Sequence, residues 1–223
     1  METLTRLISV ELNPNAYAEG SALIRVGNTH VLCTVSVEDT VPGWLKGKGQ
    51  GWLTAEYSML PRATHTRSKR ERERTSGRTH EIQRLIGRSL RACIDLKSLG
   101  EKTITIDCDV LQADGGTRTA SITIAAIALH AALRKMNLSQ AWIESVAAIS
   151  VGKVGGKIVC DLDYQSDVSA DVDMNLVMTE SLQFIEIQGT GEKTSFSPDD
   201  LNQMLDIGKK ALTQILAIQK QYR

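Results

Sequence analysis

The chain has 223 residues, with 26 Lys+Arg balanced by 26 Asp+Glu, 42% hydrophobic residues and only 4% aromatic ones. No apolar run reaches the roughly 18–20 residues of a membrane span, and the start lacks the basic-then-apolar pattern of an export signal. The four cysteines form no C-x-x-C pair and read as reduced thiols, so the composition excludes a membrane protein and a disulfide scaffold and predicts a cytoplasmic globular protein.

In chain order, residues 7–12 alternate apolar and polar as a half-buried strand does. Two β-rich runs, 21–26 and 30–37, flank Gly27-Asn28, a hairpin signal. A Gly-rich stretch then leads into a strand from Trp52 to Tyr57; Trp44 and Trp52 on its flanks suit either base stacking or packing. The segment 62–78 is nearly devoid of apolar residues and reads as a loop. From Arg62 to Arg91 there are ten Lys/Arg against three acids, a local excess of +7. Such a segment attracts phosphates, or else forms a solvated or intersubunit face.

A helix is expected over about 79–97, with Ile82, Leu85, Ile86, Leu90 and Cys93 on one face and Gly100 as its stop. Strand 103–110 alternates cleanly. A second helix, about 119–136, is apolar nearly all round and should be the buried central one. Four β-like runs follow at 145–151, 157–164, 172–179 and 183–188. Ser197-Pro198-Asp199-Asp200 has the cap, first-turn Pro and first-turn acids of a final helix start. From Asp161 to Asp206 eleven acids face a single base, Lys193. No linker or repeat interrupts the chain, which predicts one compact α+β domain over residues 1–223, with layered sheets and helices.

Two stretches carry chemistry. Asp114 to Ser121 sits between a strand and the buried helix. Glycines there would admit an anion to unpaired backbone N–H groups, with Thr117 adding a hydroxyl and Arg118 a forked donor. Taken alone, this octapeptide reads more plainly as an ordinary glycine turn with Thr or Ser capping a helix. Asp167 to Asn175 is the other. If 171–175 is extended, Asp171, Asp173 and Asn175 share one face, with Asp167 just upstream. Clustered hard oxygens suit Mg²⁺ or Mn²⁺, although a polar outer strand face is the plainer alternative.

Several long stretches closely resemble the bacterial ribonuclease PH enzymes. They include Gly49-Gln50-Gly51-Trp52-Leu53-Thr54-Ala55-Glu56-Tyr57, Met59-Leu60-Pro61-Arg62, Gly77-Arg78-Thr79, Glu81 to Arg88, Asp107 to Val110, Gln112 to Ser121, and Asp173-Met174-Asn175. The resemblance implies the fold shared with polynucleotide phosphorylase and the exosome core. It further implies a phosphate-dependent 3′→5′ exoribonuclease that trims precursor tRNA, using inorganic phosphate as co-substrate, and a hexameric ring. By motif position, Arg78, Gly116, Thr117 and Arg118 correspond to the phosphate site. Asp167 and Asp173 correspond to catalytic acids that hold Mg²⁺ (or Mn²⁺), and Arg62, Arg67 and Arg70 to contacts with the RNA. Asp171 stands where the family has Glu. The family's N-terminal Arg-x-x-Gly-Arg motif has no counterpart here, and only Arg6 stands near its Leu-Arg-Pro position. A non-catalytic RNA-binding or ring-forming subunit, or a two-metal hydrolase, would be the rival functions.

Overall fold

The computed structural model describes residues 3–70 and 76–223. Its first sheet comprises β1 (Ile8–Leu12), β2 (Gly20–Val26), β3 (Thr29–Glu38), β4 (Trp52–Met59) and β5 (Thr103–Gln112), in the order β1-β2-β3-β5-β4. β4 runs parallel to β5 and the other pairs are antiparallel. The crossover from β4 to β5 carries α1 (Gly77–Arg91) and the short α2 (Leu96–Leu99). Then α3 (Thr117–Lys135) leads to a second, antiparallel sheet. That sheet holds β6 (Val146–Val154), β7 (Lys157–Cys160), β8 (Val172–Thr179) and β9 (Phe184–Gly191) in the order β7-β6-β8-β9. A short helix, α4 (Tyr164–Ser169), joins β7 to β8, and α5 (Pro198–Gln219) closes the chain.

The layers follow from which faces are apolar. Alternation puts Val31, Cys33 and Val35 of β3 and Ile104, Ile106 and Cys108 of β5 on the inner face of the first sheet, where they pack with α1 and α3. α3 is buried nearly all round because it lies between the two sheets, touching β2 and β3 on one side and β6 on the other. The second sheet splits its faces. Val146, Ala148 and Val177 join the α3 core, while Ile149, Val151, Met174 and Leu176 pack beneath Leu212, Ile215 and Leu216 of α5. Gln219, fully buried, ties the layers together: its Nε2 donates to the Thr123 and Val146 carbonyls at 2.9 Å, and its Oε1 accepts from Ser145 Oγ. Three cysteines are core residues and all four are free thiols. No described helix is long and apolar enough to cross a membrane.

Two elements differ from the sequence expectation. The helix expected over 79–97 is broken. α1 ends at Arg91, Ile94 bridges to Trp142, and the Asp95 side chain accepts from Lys97 N to start α2 anew. The run expected as strand 157–164 stops at Cys160. Asp161 turns into left-handed backbone (φ 58°) and Asp163 caps α4 by accepting from Ser166 N at 2.8 Å. The last helix begins as expected, with Ser197 and Asp200 forming a reciprocal capping box and Pro198 in the first turn.

Candidate active site

The turn from β5 into α3 is built for close backbone approach. Gly115 (φ 74°) and Gly116 (φ 63°) are both left-handed, and a Cβ on Gly115 would lie 2.3 Å from the Leu162 carbonyl oxygen. Gly116 is the N-cap of α3 and supplies no side-chain cap, so the first N–H groups of a nineteen-residue helix are left for an outside acceptor. The loop is held from behind. Thr29 Oγ1 accepts from Asp114 N at 3.0 Å and donates to the Gly115 carbonyl at 2.6 Å, and Asn28 Nδ2 donates to Asp114 Oδ2.

The side chains predicted to bind an anion converge there. Thr117 Oγ1 is 2.9 Å from the Tyr57 hydroxyl. Arg118 Nη1 donates to Glu81 Oε1 at 3.3 Å and Gln188 Oε1 at 3.2 Å, and Gln188 Nε2 donates to Glu81 Oε1 at 2.8 Å. This network spans α1, α3 and β9 and aims the guanidinium. Arg78 stands in the first turn of α1, beyond a Ser76 cap, and lines the same cleft. Burial raises the Tyr57 pKa, and the Thr117 hydrogen bond and the positive charges of Arg78 and Arg118 draw it back down, so both cations lie within electrostatic reach of the phenol.

The two carboxylates come from a different direction. Asp167 projects from α4, and Asp173 stands on β8 opposite Gly152 and Thr190. Both line the cleft that holds Gly116, Thr117 and Arg118. The pKa of Asp173 is pushed up to about 6, first by burial and then by the negative charge of Asp167, with Arg118 pulling the other way. Asn175 follows on the same face of β8 and also lines the cleft, in accord with strand alternation. Asp171 does not line it: it precedes the strand, and its backbone N–H donates to the Lys153 carbonyl. Among the described residues no group of three or more His, Cys, Asp and Glu could hold a metal ion. Asp167 and Asp173 are the residues that could hold a cation here, with Glu192 also on the cleft wall and its charge acting on Asp173.

The cleft has a volume of about 890 Å³, room for nucleotide-sized ligands beside an anion. One wall is the basic loop after β4, which contributes Thr64, His65, Thr66, Ser68 and Lys69; Tyr164 and Val168 form another part of the rim. Arg62, Arg67 and Arg70 lie on that loop, exposed and outside the cleft lining. The charge of Arg70 acts instead on Asp109, on the outer face of the sheet. Arg72 and Arg74, counted in the basic stretch, fall outside the described residues. Sequence reasoning assigned no role to Tyr57, Glu81 or Gln188. The available signal was Tyr57 itself: alternation puts it on the apolar face with Leu53 and Ala55, where a phenol needs a polar partner.

Comparison with known proteins agrees with this architecture. Residues 5–138 match the model of the 3′ exoribonuclease family, domain 1, and residues 144–211 match domain 2 of the same family. The break between them falls between α3 and β6, where the first sheet gives way to the second. Among solved structures, rice (Oryza sativa) Rrp46 superposes with a TM-score of 0.79 at 18% identity, covering 97% of this chain and 93% of that one. The Archaeoglobus fulgidus exosome with RNA bound to the active site gives 0.81 at 19% identity, covering 98% and 89%. An archaeal exosome core gives 0.78 at 19%, covering 97% and 87%. At these identities the structures show a common fold. With both domain models matched in order along nearly its whole length, the chain belongs to the 3′ exoribonuclease family.

Proposed function

We propose that the protein is a phosphorolytic 3′→5′ exoribonuclease of the ribonuclease PH type, acting on single-stranded 3′ tails such as those of precursor tRNA. One observation carries the reading: a single cleft joins an uncapped helix N-terminus, with Thr117, Arg118 and Arg78, to the carboxylate pair Asp167 and Asp173. A hydrolase would need only the second half of that site. Family membership and the motif matches support the same direction.

In phosphorolysis, hydrogen phosphate attacks the terminal phosphodiester, a new P–O bond forms, and the bond to the departing 3′-oxygen breaks. The products are a nucleoside diphosphate and a chain shorter by one residue. Hydrogen phosphate is already an anion near neutral pH and brings the proton that the new 3′-hydroxyl requires, so no strong base has to sit beside it. The chain's task is to bring one anion up to another. The α3 N-terminus, Thr117 and the Arg78 and Arg118 cations would receive the attacking phosphate, and the Glu81–Gln188 network fixes where Arg118 points. Burial and the neighbouring Asp167 charge both disfavour the ionised form of Asp173, a cost that a divalent cation between the two carboxylates would relieve, so the pair fits Mg²⁺ or Mn²⁺. When bound, such an ion supplies neutralisation of phosphate charge.

A homo-hexameric ring belongs to the same proposal. It would narrow access to the cleft, so that a tail enters and a folded stem does not. The deciding experiment incubates the protein and Mg²⁺ with a 3′-tailed RNA, with and without inorganic phosphate. Nucleoside diphosphates released only with phosphate are the expected result. Monophosphates released without phosphate would make it a hydrolase, and RNA bound without release would make it a non-catalytic subunit of the same fold.

A further inference from the structure

Arg6 enters the fold just before β1 and makes four hydrogen bonds behind the active-site cleft. Its backbone N–H donates to Asp161 Oδ2 at 2.7 Å, its Nε to the same oxygen at 3.0 Å, its Nη2 to Asp161 Oδ1 at 2.7 Å, and its Nη1 to the Asp114 carbonyl at 2.6 Å. The Arg6 and Asp161 side chains are only 19% and 4% exposed. Forked, charge-assisted pairing of this kind fixes orientation as well as distance.

The two loops that Arg6 joins have different origins. Asp114 belongs to the turn after β5, on the first sheet, which leads to Gly116 and Thr117. Asp161 follows β7, on the second sheet, and lies two residues before the Asp163 cap of the helix bearing Asp167. The loops also meet directly. Gly115 has no room for a Cβ against the Leu162 carbonyl, and Tyr164 N donates to Asp114 Oδ1 at 3.3 Å. Arg6 itself lies behind Gly116, where an added Cβ would stand 3.2 Å from its Nη2, and it is not part of the cleft lining.

We infer that Arg6 is a positioning residue of the active site: by bolting the 114–116 loop to Asp161 it sets where the anion cradle stands relative to Asp167. The inference rests on the proposed function. A buried ion pair contributes little net stability over a well-packed apolar substitute, so stability alone gives weak reason for this one. What an apolar pair lacks is the fork that spans two loops. Placement of reacting groups is sensitive to shifts of about 1 Å, which cost up to on the order of 100-fold in rate.

The test uses the full chain with Arg6→Met, which keeps the stem and loses the fork, and Arg6→Lys, which keeps the cation but reaches fewer acceptors. Calorimetric binding of inorganic phosphate, without RNA, is measured beside the KM values for phosphate and for a 3′-tailed RNA. We expect Kd and KM for phosphate to rise on the order of 10-fold in Arg6→Met and less in Arg6→Lys, with KM for RNA within about twofold of the wild type. Unchanged phosphate binding in the folded variants would overturn the inference. So would phosphate and RNA constants that weaken together in step with a lowered melting temperature, the mark of a merely structural role. If Arg6→Met does not fold, Arg6→Lys decides by the same criteria. A wild-type chain that binds phosphate but releases no diphosphate would overturn the proposed function, while the calorimetry would still judge Arg6.

Discussion

The hydroxyl groups of Tyr57 and Thr117 lie 2.9 Å apart, joining the core face of β4 to the first residue of α3. Burial keeps the phenol protonated, so it has a hydrogen to give, and a phenol that donates to Thr117 Oγ1 leaves the Thr117 hydrogen for a bound anion. Tyr57→Phe removes that arrangement while preserving the ring's packing. We expect a loss of about 1 kcal/mol in stability, typical of one buried hydrogen bond. The KM for phosphate should rise several-fold and the KM for RNA should stay put. Denaturation curves and steady-state kinetics with each substrate varied would check this; an RNA KM that rises instead would remove Tyr57 from the phosphate side of the cleft.

Asp173 should set stability and activity against each other. Its native pKa, about 6, lies above the unfolded value of roughly 3.9, because burial and Asp167 both disfavour its charge. The native state therefore holds more protons than the unfolded one between those values, and stability falls as pH rises through that window. With divalent ions chelated, Asp173→Asn should be the more stable protein near neutral pH, by on the order of 1–2 kcal/mol once partial solvent screening is allowed for. The advantage should vanish below about pH 4, where the wild-type carboxyl is protonated in both states. Activity should drop on the order of 10²–10³-fold in the same variant. Mg²⁺ should raise the melting temperature of the wild type more than that of Asp173→Asn. Equal melting temperatures across the pH range would show that Asp173 carries no such cost.

Gly115→Ala tests the loop itself. The added methyl would meet the Leu162 carbonyl at 2.3 Å, against backbone that has no rotamer to escape with, at a φ of 74°. Destabilisation of about 2–4 kcal/mol is expected from strain at such a position. Gly47 is also at positive φ, but nothing lies within 4 Å of where its Cβ would stand, so it isolates the backbone contribution. Gly47→Ala should lose only about 1 kcal/mol. Thermal denaturation of the two variants side by side separates steric clash from left-handed strain.

Much of the fold was legible in local sequence because its signals are local. Alternation found most strands, Gly27-Asn28 marked the hairpin, and the Ser197 capping box placed the start of α5. Where local patterns misled, a short polar side chain started a new element: Asp95 capped α2 after α1 had already ended at Arg91, and Asp163 started α4 inside an apparent strand. The two chemical motifs were visible as separate peptides. Their meeting in one cleft was not, because it depends on a turn from the first sheet touching a loop from the second. The supporting residues were hidden for the same reason. Tyr57 is 60 positions from Thr117, Glu81 and Gln188 are 37 and 70 from Arg118, and Asp161 is 155 from Arg6.

The three arginines expected to meet RNA divide on electrostatic grounds. Arg62 and Arg67 are exposed on the loop that walls the cleft, so each is free to meet a phosphodiester. Arg70 already compensates Asp109, whose pKa burial raises and Arg70 lowers. RNA affinity should fall steeply with salt, and every phosphate that is no longer neutralised should flatten the log–log slope by about 0.7 for a single strand. Arg67→Ala is therefore expected to flatten the slope by that amount and to leave the KM for phosphate unchanged, since the anion cradle lies deeper. Arg70→Ala should flatten it less, because part of this cation's charge is already engaged by Asp109 and neutralises less phosphate. Binding of a 3′-tailed RNA measured across a salt series for both variants would check the ranking. Equal slopes for wild type and Arg67→Ala would place the RNA path on another face of the loop.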